Sequence, residues 1–307
     1  MTIPAVSLKN LGKCILCGAS SRRKLFEIPN SVVYECHACR LRYIDPCLSP
    51  EAMKSAYESD DSLTQYHDFH EGYYDYGDLE TESKTLKDFR RGLECLEKNF
   101  ASSQNRKILD VGFGNGLFLA LAQQRGWQVQ GIDSSPRNIE LARNKFKLEL
   151  THAGWEDYVA DEGSFEAISF WDVIEHLPDP HAAIVKAKSL LAQNGLILAA
   201  VPHDTSLLRY LSTAIFRLTG GHAEKGIEKI YLLEHVAYYR LATLQELFRR
   251  NQFLLKDHFY THTDLNKYSL PWYEKWIARM ILAAGRITGL ENRLVAIFKK
   301  QAKQIDI

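Results

Sequence analysis

Residues 107–116 read KILDVGFGNG, and Asp133 follows in VQGIDSS, seventeen positions after Gly116. Ile108, Leu109 and Val111 form an apolar run of strand length, and the alternating glycines 112, 114 and 116 break it. Leu117 to Arg125 then reads as a helix, and Val129 to Ile132 as a second strand that ends in the acid. Glycine adopts dihedrals closed to other residues and lets a ligand approach the main chain. An acid at the end of strand two is placed to accept hydrogen bonds from both hydroxyls of a ribose. The stretch therefore predicts a nucleoside-binding α/β unit.

The pattern continues in order. Pro136 to Phe146 reads as a helix and Leu148 to Thr151 as a short strand before HAGWEDY (152–158). Ala167 to Phe170 is a fourth strand, Ala182 to Leu191 a helix, and GLILAAVPH (195–203) a fifth strand. The spacing D-x-G-x-G-x-G (110–116) differs from the dinucleotide fingerprint G-x-G-x-x-G. It resembles motif I of the class I S-adenosylmethionine-dependent methyltransferases. WDVIEHLPDP (171–180) and LEHVAYYRLATLQELFRRNQF (233–253) are similar to later segments of small-molecule members, including the ubiquinone-pathway O-methyltransferases. The resemblance covers about residues 105–258.

That resemblance implies a Rossmann-like, doubly wound α/β fold with a mainly parallel seven-stranded sheet; the residues alone support five of the strands. It also implies S-adenosylmethionine as cofactor. Asp110 would orient its methionine end, Gly112, Gly114 and Gly116 would open the turn, and Asp133 with Ser134 would hold the ribose. Trp155 and Glu156 would lie beside the adenine, with Phe170 close by. For Trp155, core packing is an equal reading. Phe113 and Asn115 depart from the family pattern, and Phe113 either packs on the sheet or crowds the cofactor.

Methyl transfer from a sulfonium needs alignment and exclusion of water, and a hydroxyl acceptor also benefits from a general base. Among the 11 histidines, His176 is the first candidate because it follows strand four, at the carboxyl edge of the sheet. His235 is second and His203 third. Asp172, Glu175 and His176 fall at i, i+3 and i+4, the spacing of one helix face. In the ubiquinone-pathway enzymes, which carry Glu where this chain has Asp172, such a set can hold a divalent cation. Helix capping near Pro178 is the competing reading.

The cysteines carry the second signal. Cys14-x-x-Cys17 and Cys36-x-x-Cys39 flank residues 18–35, a spacing expected of a structural four-thiolate zinc site. Two disulfides or a redox pair explain the double knuckle less well. Lys24 to Ile28 and Val32 to Tyr34 read as ribbon strands, and Cys47 and Cys95 as plain thiols. A zinc ribbon before this catalytic domain resembles bacterial methyltransferases linked to cell-surface polysaccharide or secondary metabolism, and some deoxysugar C-methyltransferases. It is also similar to zinc-bearing methyltransferases of ribosomal RNA. The acceptor expected from these likenesses is a small molecule or a sugar- or lipid-linked one, methylated at oxygen. RNA is the alternative, with Arg22, Arg23, Lys24, Arg40 and Arg42 as candidate phosphate contacts. A non-catalytic interaction module is a third reading.

Equal numbers of basic and acidic residues, 38 of each, give no bulk field that would favour nucleic acid or an anionic membrane. No apolar run approaches the length of a membrane span, and MTIPAVSLKN lacks the pattern of a signal peptide, so a cytoplasmic location is expected. The domains expected are a ribbon at 1–47, a linker and amphipathic helix at 48–104, the cofactor domain at 105–260, and a helical extension at 261–307. In the linker, Tyr66, Tyr73, Tyr74 and Tyr76 form a lid or pack the ribbon, and residues 79–99 form the helix. Within 204–234, a pocket-covering insertion, Leu207, Leu208, Leu211, Ile215 and Leu218 share one face, with Arg209 and Arg217 off it. Residues 273–300 repeat that character, with Leu294 and Ile297 among the apolar positions. Such faces suit peripheral membrane contact, or packing onto the main domain or a second copy.

Overall fold

The molecule, a computed structural model, describes residues 7–58, 77–100, 106–148, 150–222 and 224–301. At the N-terminus, β1 (Leu8–Lys9), β2 (Arg22–Ile28), β3 (Ser31–Cys36), β4 (Arg42–Ile44) and β5 (Cys47–Leu48) build the ribbon, followed by α1 (Pro50–Glu58). β2, β3 and β4 form an antiparallel meander, and β1 pairs with β5. The ribbon strands run further than the apolar positions alone suggest, because cross-strand pairing extends from Ile28–Ser31 back to Arg22–Cys36. The tyrosines expected as a lid lie outside the described residues.

The linker helix, α2 (Lys84–Asn99), starts later than position 79. Asp78 accepts from the backbone N–H of Glu80, and Ser83 caps the helix by accepting from Leu86 N at 3.0 Å. These two side chains set the boundary, and Leu86, Phe89, Leu93 and Leu96 are then buried.

From there the chain alternates. β6 (Lys107–Val111), α3 (Leu117–Gln124), β7 (Gln128–Asp133), α4 (Pro136–Phe146) and β8 (Thr151–His152) come first, then β9 (Phe165–Trp171), α5 (Pro180–Leu190) and β10 (Leu191–Pro202). α6 (Leu207–Leu218), α7 (Glu224–Glu228), β11 (Ala237–Tyr238), α8 (Leu241–Arg250), β12 (Phe253–Thr261), α9 (Trp272–Thr288) and β13 (Arg293–Lys300) follow. Seven strands make one sheet in the order β12-β13-β10-β9-β6-β7-β8. Only β13 runs antiparallel to its neighbours. The expected doubly wound, mainly parallel seven-stranded α/β fold is present.

The C-terminal extension is not wholly helical. Gly289, in the left-handed region at φ +71°, ends α9, and Leu294 and Ile297 belong to the buried strand β13. Side chains on β6 alternate between two apolar layers. Leu109 and Val111 face the layer with Phe170 and Ile197, and Ile108 faces the layer with Leu93 and Leu198. Burying each such side chain contributes about 1.5–3 kcal/mol. Finally, β11 pairs with β4, so the ribbon and the main domain share a four-stranded sheet, β11-β4-β3-β2.

Candidate active site

The carboxyl ends of β6, β7 and β9 open on a cavity of about 800 Å³, where ligands of open α/β sheets bind. Gly112, Gly114 and Gly116 all have left-handed backbone, at φ +67°, +59° and +80°. A Cβ on Gly112 would lie 2.8 Å from Val173 Cγ2. The N–H groups of Gly114 and Ser135 donate to the Asp133 carboxylate at 2.9 Å each, and Asn138 Nδ2 donates at 3.2 Å. A carboxylate has about four acceptor positions, which leaves capacity for a ligand hydroxyl. Burial raises Asp133 to about 6 against the pull of these donors. Deeper, Asp110 accepts from Ser169 Oγ at 2.7 Å, and burial, with the Asp133 charge, raises it to about 8.

Asp110, Gly112, Gly114, Asp133, Ser134, Trp155 and Glu156 all line this cavity. Gly116 instead turns the chain into α3 against Ala142 of α4. Phe170 is fully buried behind the site, edge-on to Trp155 at a centroid distance of 5.5 Å. Trp155 therefore both packs the core and faces the cavity. Two buried atoms at this end, Trp155 Nε1 and Asn138 Oδ1, have no hydrogen-bond partner among the described residues. A nucleoside can satisfy such groups, so the residues fit the expected cofactor. Phe113 packs with Leu119, Ile139 and Leu148 while also edging the cavity, and Asn115 Oδ1 accepts from Leu117 N at 3.1 Å.

The segment after β9 departs from expectation. Asp172 has left-handed backbone (φ +56°), and Arg293 Nη2 donates to its two oxygens at 2.8 and 2.7 Å. Only Ile174–His176 coils, as one 3-10 turn. Asp172, Glu175 and His176 thus do not share a helix face: Arg293 of β13 holds Asp172, and Pro178 blocks propagation. Glu175 and His176 meet His235 instead, with one side-chain donor or acceptor atom of each within 4.8 Å of the others.

His176 Nδ1 lies 2.9 Å from the main-chain oxygen of Glu234 and 3.0 Å from the Tyr57 hydroxyl. A carbonyl only accepts, so Nδ1 carries the proton and Nε2 the lone pair. The His235 ring stands edge-on at 4.6 Å. Burial lowers the His176 pKa, opposed by the Glu234 charge, which favours the neutral base. Glu175 is 1% exposed, and neither carboxyl oxygen has a hydrogen-bond partner among the described residues. Burial, then the Asp172 charge, pushes its pKa well up. His203 is structural: Nδ1 bonds to Glu291 O at 2.9 Å and Nε2 to Thr205 Oγ1 at 2.7 Å.

Tyr57, Lys267 and Arg293 are among the cavity residues that escaped the sequence reading. Lys267 is buried, and burial, helped by Arg293, lowers its pKa to about 7 against Asp172, Asp264 and Asp88. A lysine at the end of a single 3-10 turn, Leu265–Lys267, carries no sequence signal that distinguishes it from a solvated one.

In the ribbon, the Sγ atoms of Cys14, Cys17, Cys36 and Cys39 lie within 4.8 Å of one another. The pairs Cys14–Cys39 and Cys17–Cys36 are 3.5 Å apart, and all four are free thiols. Four converging sulfurs are the donor set of a closed zinc site. The five ribbon cations expected as phosphate contacts face acids. Arg22 pairs with Asp45, Lys24 with Glu27, Arg23 and Arg40 with Glu35 at 3.1 Å each, and Arg42 with Asp204 at 3.2 Å.

Comparison with known proteins matches residues 85–256 to the family described as "Methyltransferase domain". Over 140 residues the chain is 30% identical to a ubiquinone biosynthesis O-methyltransferase from Pelagibacter ubique, covering 44% of this chain and 54% of that one. A protein of the same name from Xanthomonas campestris pv. campestris is 32% identical over 105 residues, covering 32% and 44%. The chain spans about half the length of the curated relatives it matches. Among solved structures, the 1,6-didemethyltoxoflavin-N1-methyltransferase of Burkholderia thailandensis, bound to S-adenosylhomocysteine, superposes with a TM-score of 0.51. That likeness is one of fold, at 16% identity over 92% of this chain and 100% of that one.

Proposed function

Because the chain belongs to the methyltransferase-domain family, we propose that it transfers a methyl group from S-adenosylmethionine to a hydroxyl oxygen of a small-molecule, sugar- or lipid-linked acceptor. One observation carries this reading. A single cavity is lined both by the glycine turn with Asp133 and by His176, whose Nε2 holds a lone pair.

When bound, S-adenosylmethionine would supply a methyl group on a cationic sulfur, the activated form needed for in-line transfer to an acceptor oxygen with S-adenosylhomocysteine as the leaving group. Asp133 with Ser134 would hold the ribose, Trp155 and Glu156 would lie beside the base, and Asp110 would orient the methionine end. His176 Nε2 takes the hydroxyl proton, and Nδ1–H stays on the Glu234 carbonyl, so the ring cannot swing away as charge develops. His235, edge-on and half-buried, is next in line to pass the proton outward. The four ribbon cysteines would hold zinc in a structural role.

An RNA acceptor is disfavoured because the ribbon cations that would meet phosphate are ion-paired within the chain. The lipid-linked class is favoured by the exposed apolar faces of α6 and α9, with peripheral membrane contact on the cytoplasmic side. Among the described residues no helix is long and apolar enough to cross a membrane.

Calorimetric titration of metal-replete protein with S-adenosylhomocysteine tests the reading. Binding is expected, weakened about 10- to 100-fold by Asp133→Ala, the range for losing charged hydrogen bonds. Folded protein that binds none would overturn the enzyme reading in favour of an interaction module.

A further inference from the structure

We propose that the cysteine ribbon with α1 forms the acceptor-side wall of the active site, that Tyr57 positions His176, and that the metal held by the ribbon keeps this wall in place. The inference rests on the methyl-transfer reading above and adds to it what the N-terminal module does.

The cavity is lined by Lys9 of β1 and by Met53, Lys54 and Tyr57 of α1, together with Glu175, His176 and His235. Tyr57 stands edge-on to the His176 ring at 5.9 Å, and its hydroxyl meets Nδ1 at 3.0 Å. With the proton of Nδ1 already on the Glu234 carbonyl, the Tyr57 oxygen is its second acceptor and fixes the ring plane. The ribbon is thus not an appendage on a linker.

Three ties join the ribbon to the segment that carries the histidines. β4 pairs with β11 in the register Tyr43–Ala237 and Arg42–Tyr238, and Ile44 N donates to Val236 O at 3.0 Å. β11 begins two residues after His235. Arg42 Nη1 donates to Asp204 at 3.2 Å and to the Tyr231 hydroxyl at 3.1 Å, fastening both ends of the stretch between β10 and β11. His181 Nε2 of α5 donates to the main-chain oxygen of Leu16, inside the first knuckle, at 2.9 Å. The nucleoside end is held differently. Asp110 and Asp133 are bonded by Ser169, Gly114, Ser135 and Asn138, all from the main domain.

A ribbon this small owes much of its folding free energy to its metal. Removing the metal should therefore release the acceptor wall and spare the nucleoside end. The test uses the full chain, metal-analysed, before and after chelation, read by S-adenosylhomocysteine calorimetry and by hydrogen exchange. After stripping, affinity should stay within about threefold, and exchange at 174–177 and 231–239 should quicken by about tenfold or more while 107–116 and 128–135 stay protected. Arg42→Met, which leaves the thiols intact, should give the same regional loosening at full metal content. Tyr57→Phe should move the His176 ring resonances in NMR with metal and S-adenosylhomocysteine binding unchanged. Unaltered exchange at 231–239 after stripping would overturn the proposal, as would loss of S-adenosylhomocysteine binding along with the metal. An unmoved His176 spectrum in Tyr57→Phe would remove Tyr57 from it. Failure of the metal-loaded protein to bind S-adenosylhomocysteine is a separate result, and overturns the methyl-transfer reading itself.

Discussion

Asp110 is 1% exposed, accepts from Ser169, and sits with a carboxyl pKa raised to about 8 by burial, with Asp133 adding to the rise. A carboxyl raised above its unfolded value favours the fold most at low pH. It loses that contribution as pH climbs from its ordinary value of about 4 through the folded value. Asp110→Asn stays neutral throughout. In ligand-free protein the variant should therefore melt progressively higher than wild type as pH rises from 5 to 8.5, by on the order of 2–4 °C per kcal/mol. Thermal melts across that range check it, and parallel curves would refute the burial argument. The same variant should bind S-adenosylmethionine less well, because a buried carboxylate is worth most to a cation when both leave water together. Both aspartates were legible in the sequence because a glycine turn and a strand end fix where they fall. Lys267 and Arg293 were not, because their role comes from burial against residues over 80 positions away, such as Asp172.

Between β6 and α3, the glycine turn fixes how closely a ligand can approach the backbone. Gly112→Ala should cost about 1–2 kcal/mol from the left-handed backbone alone, with a further penalty from Val173 Cγ2 at 2.8 Å. Val173→Ala removes that methyl, so the double variant should recover the clash part and not the backbone part. Chemical denaturation of the four proteins measures the coupling, and strict additivity would show that Val173 is not what the new methyl meets. At this scale the elements were legible where the strand–turn–helix order around the glycines was plain, as in α3 and α4. The segments misread were those set by distant partners. The Asp172–Glu175–His176 spacing looked helical, and one arginine on β13 held its first member away from the turn. RLVAIFKK (293–300) looked like the end of a helix because its apolar run is equally compatible with a buried strand. Gly289, which stops α9, was the available signal.

Across the whole molecule, exposed apolar side chains are not evenly spread. Of the 13 large ones exposed among the described residues, 10 lie on α6 and α9, including Leu218 (86% exposed), Trp272 (81%), Trp276 (59%) and Ile287 (87%). The two helices pack together. Arg217, Arg279 and Arg286 are exposed on them, α6 has no acid, and Glu274 of α9 pairs with Lys229 at 2.5 Å. A neutral chain overall therefore presents one apolar, aromatic face whose free charge is positive, the composition that suits an anionic lipid interface. Arg209, expected off the apolar face, is buried between the rings of Tyr231 and Tyr238 at 4.6 and 4.4 Å, and contributes to packing instead. The protein should sediment with vesicles containing phosphatidylglycerol at least about tenfold more strongly than with phosphatidylcholine alone, and that preference should fade at high salt. The double variant Trp272→Ser with Trp276→Ser should lose about tenfold or more of the affinity, since burying each indole contributes a few kcal/mol at most. The rival occupant is a second copy of the chain, which would bury the same residues. In that case vesicle binding is absent, and the double variant converts a dimer to a monomer in analytical ultracentrifugation. A lipid surface under α6 also has a mechanistic consequence, because α6 follows directly from the β10 end that borders the cavity through Pro202. An acceptor held in the membrane would then reach His176 from the α6 side, next to the ribbon, against whose Phe26 the α6 side chain Phe216 packs at 6.0 Å.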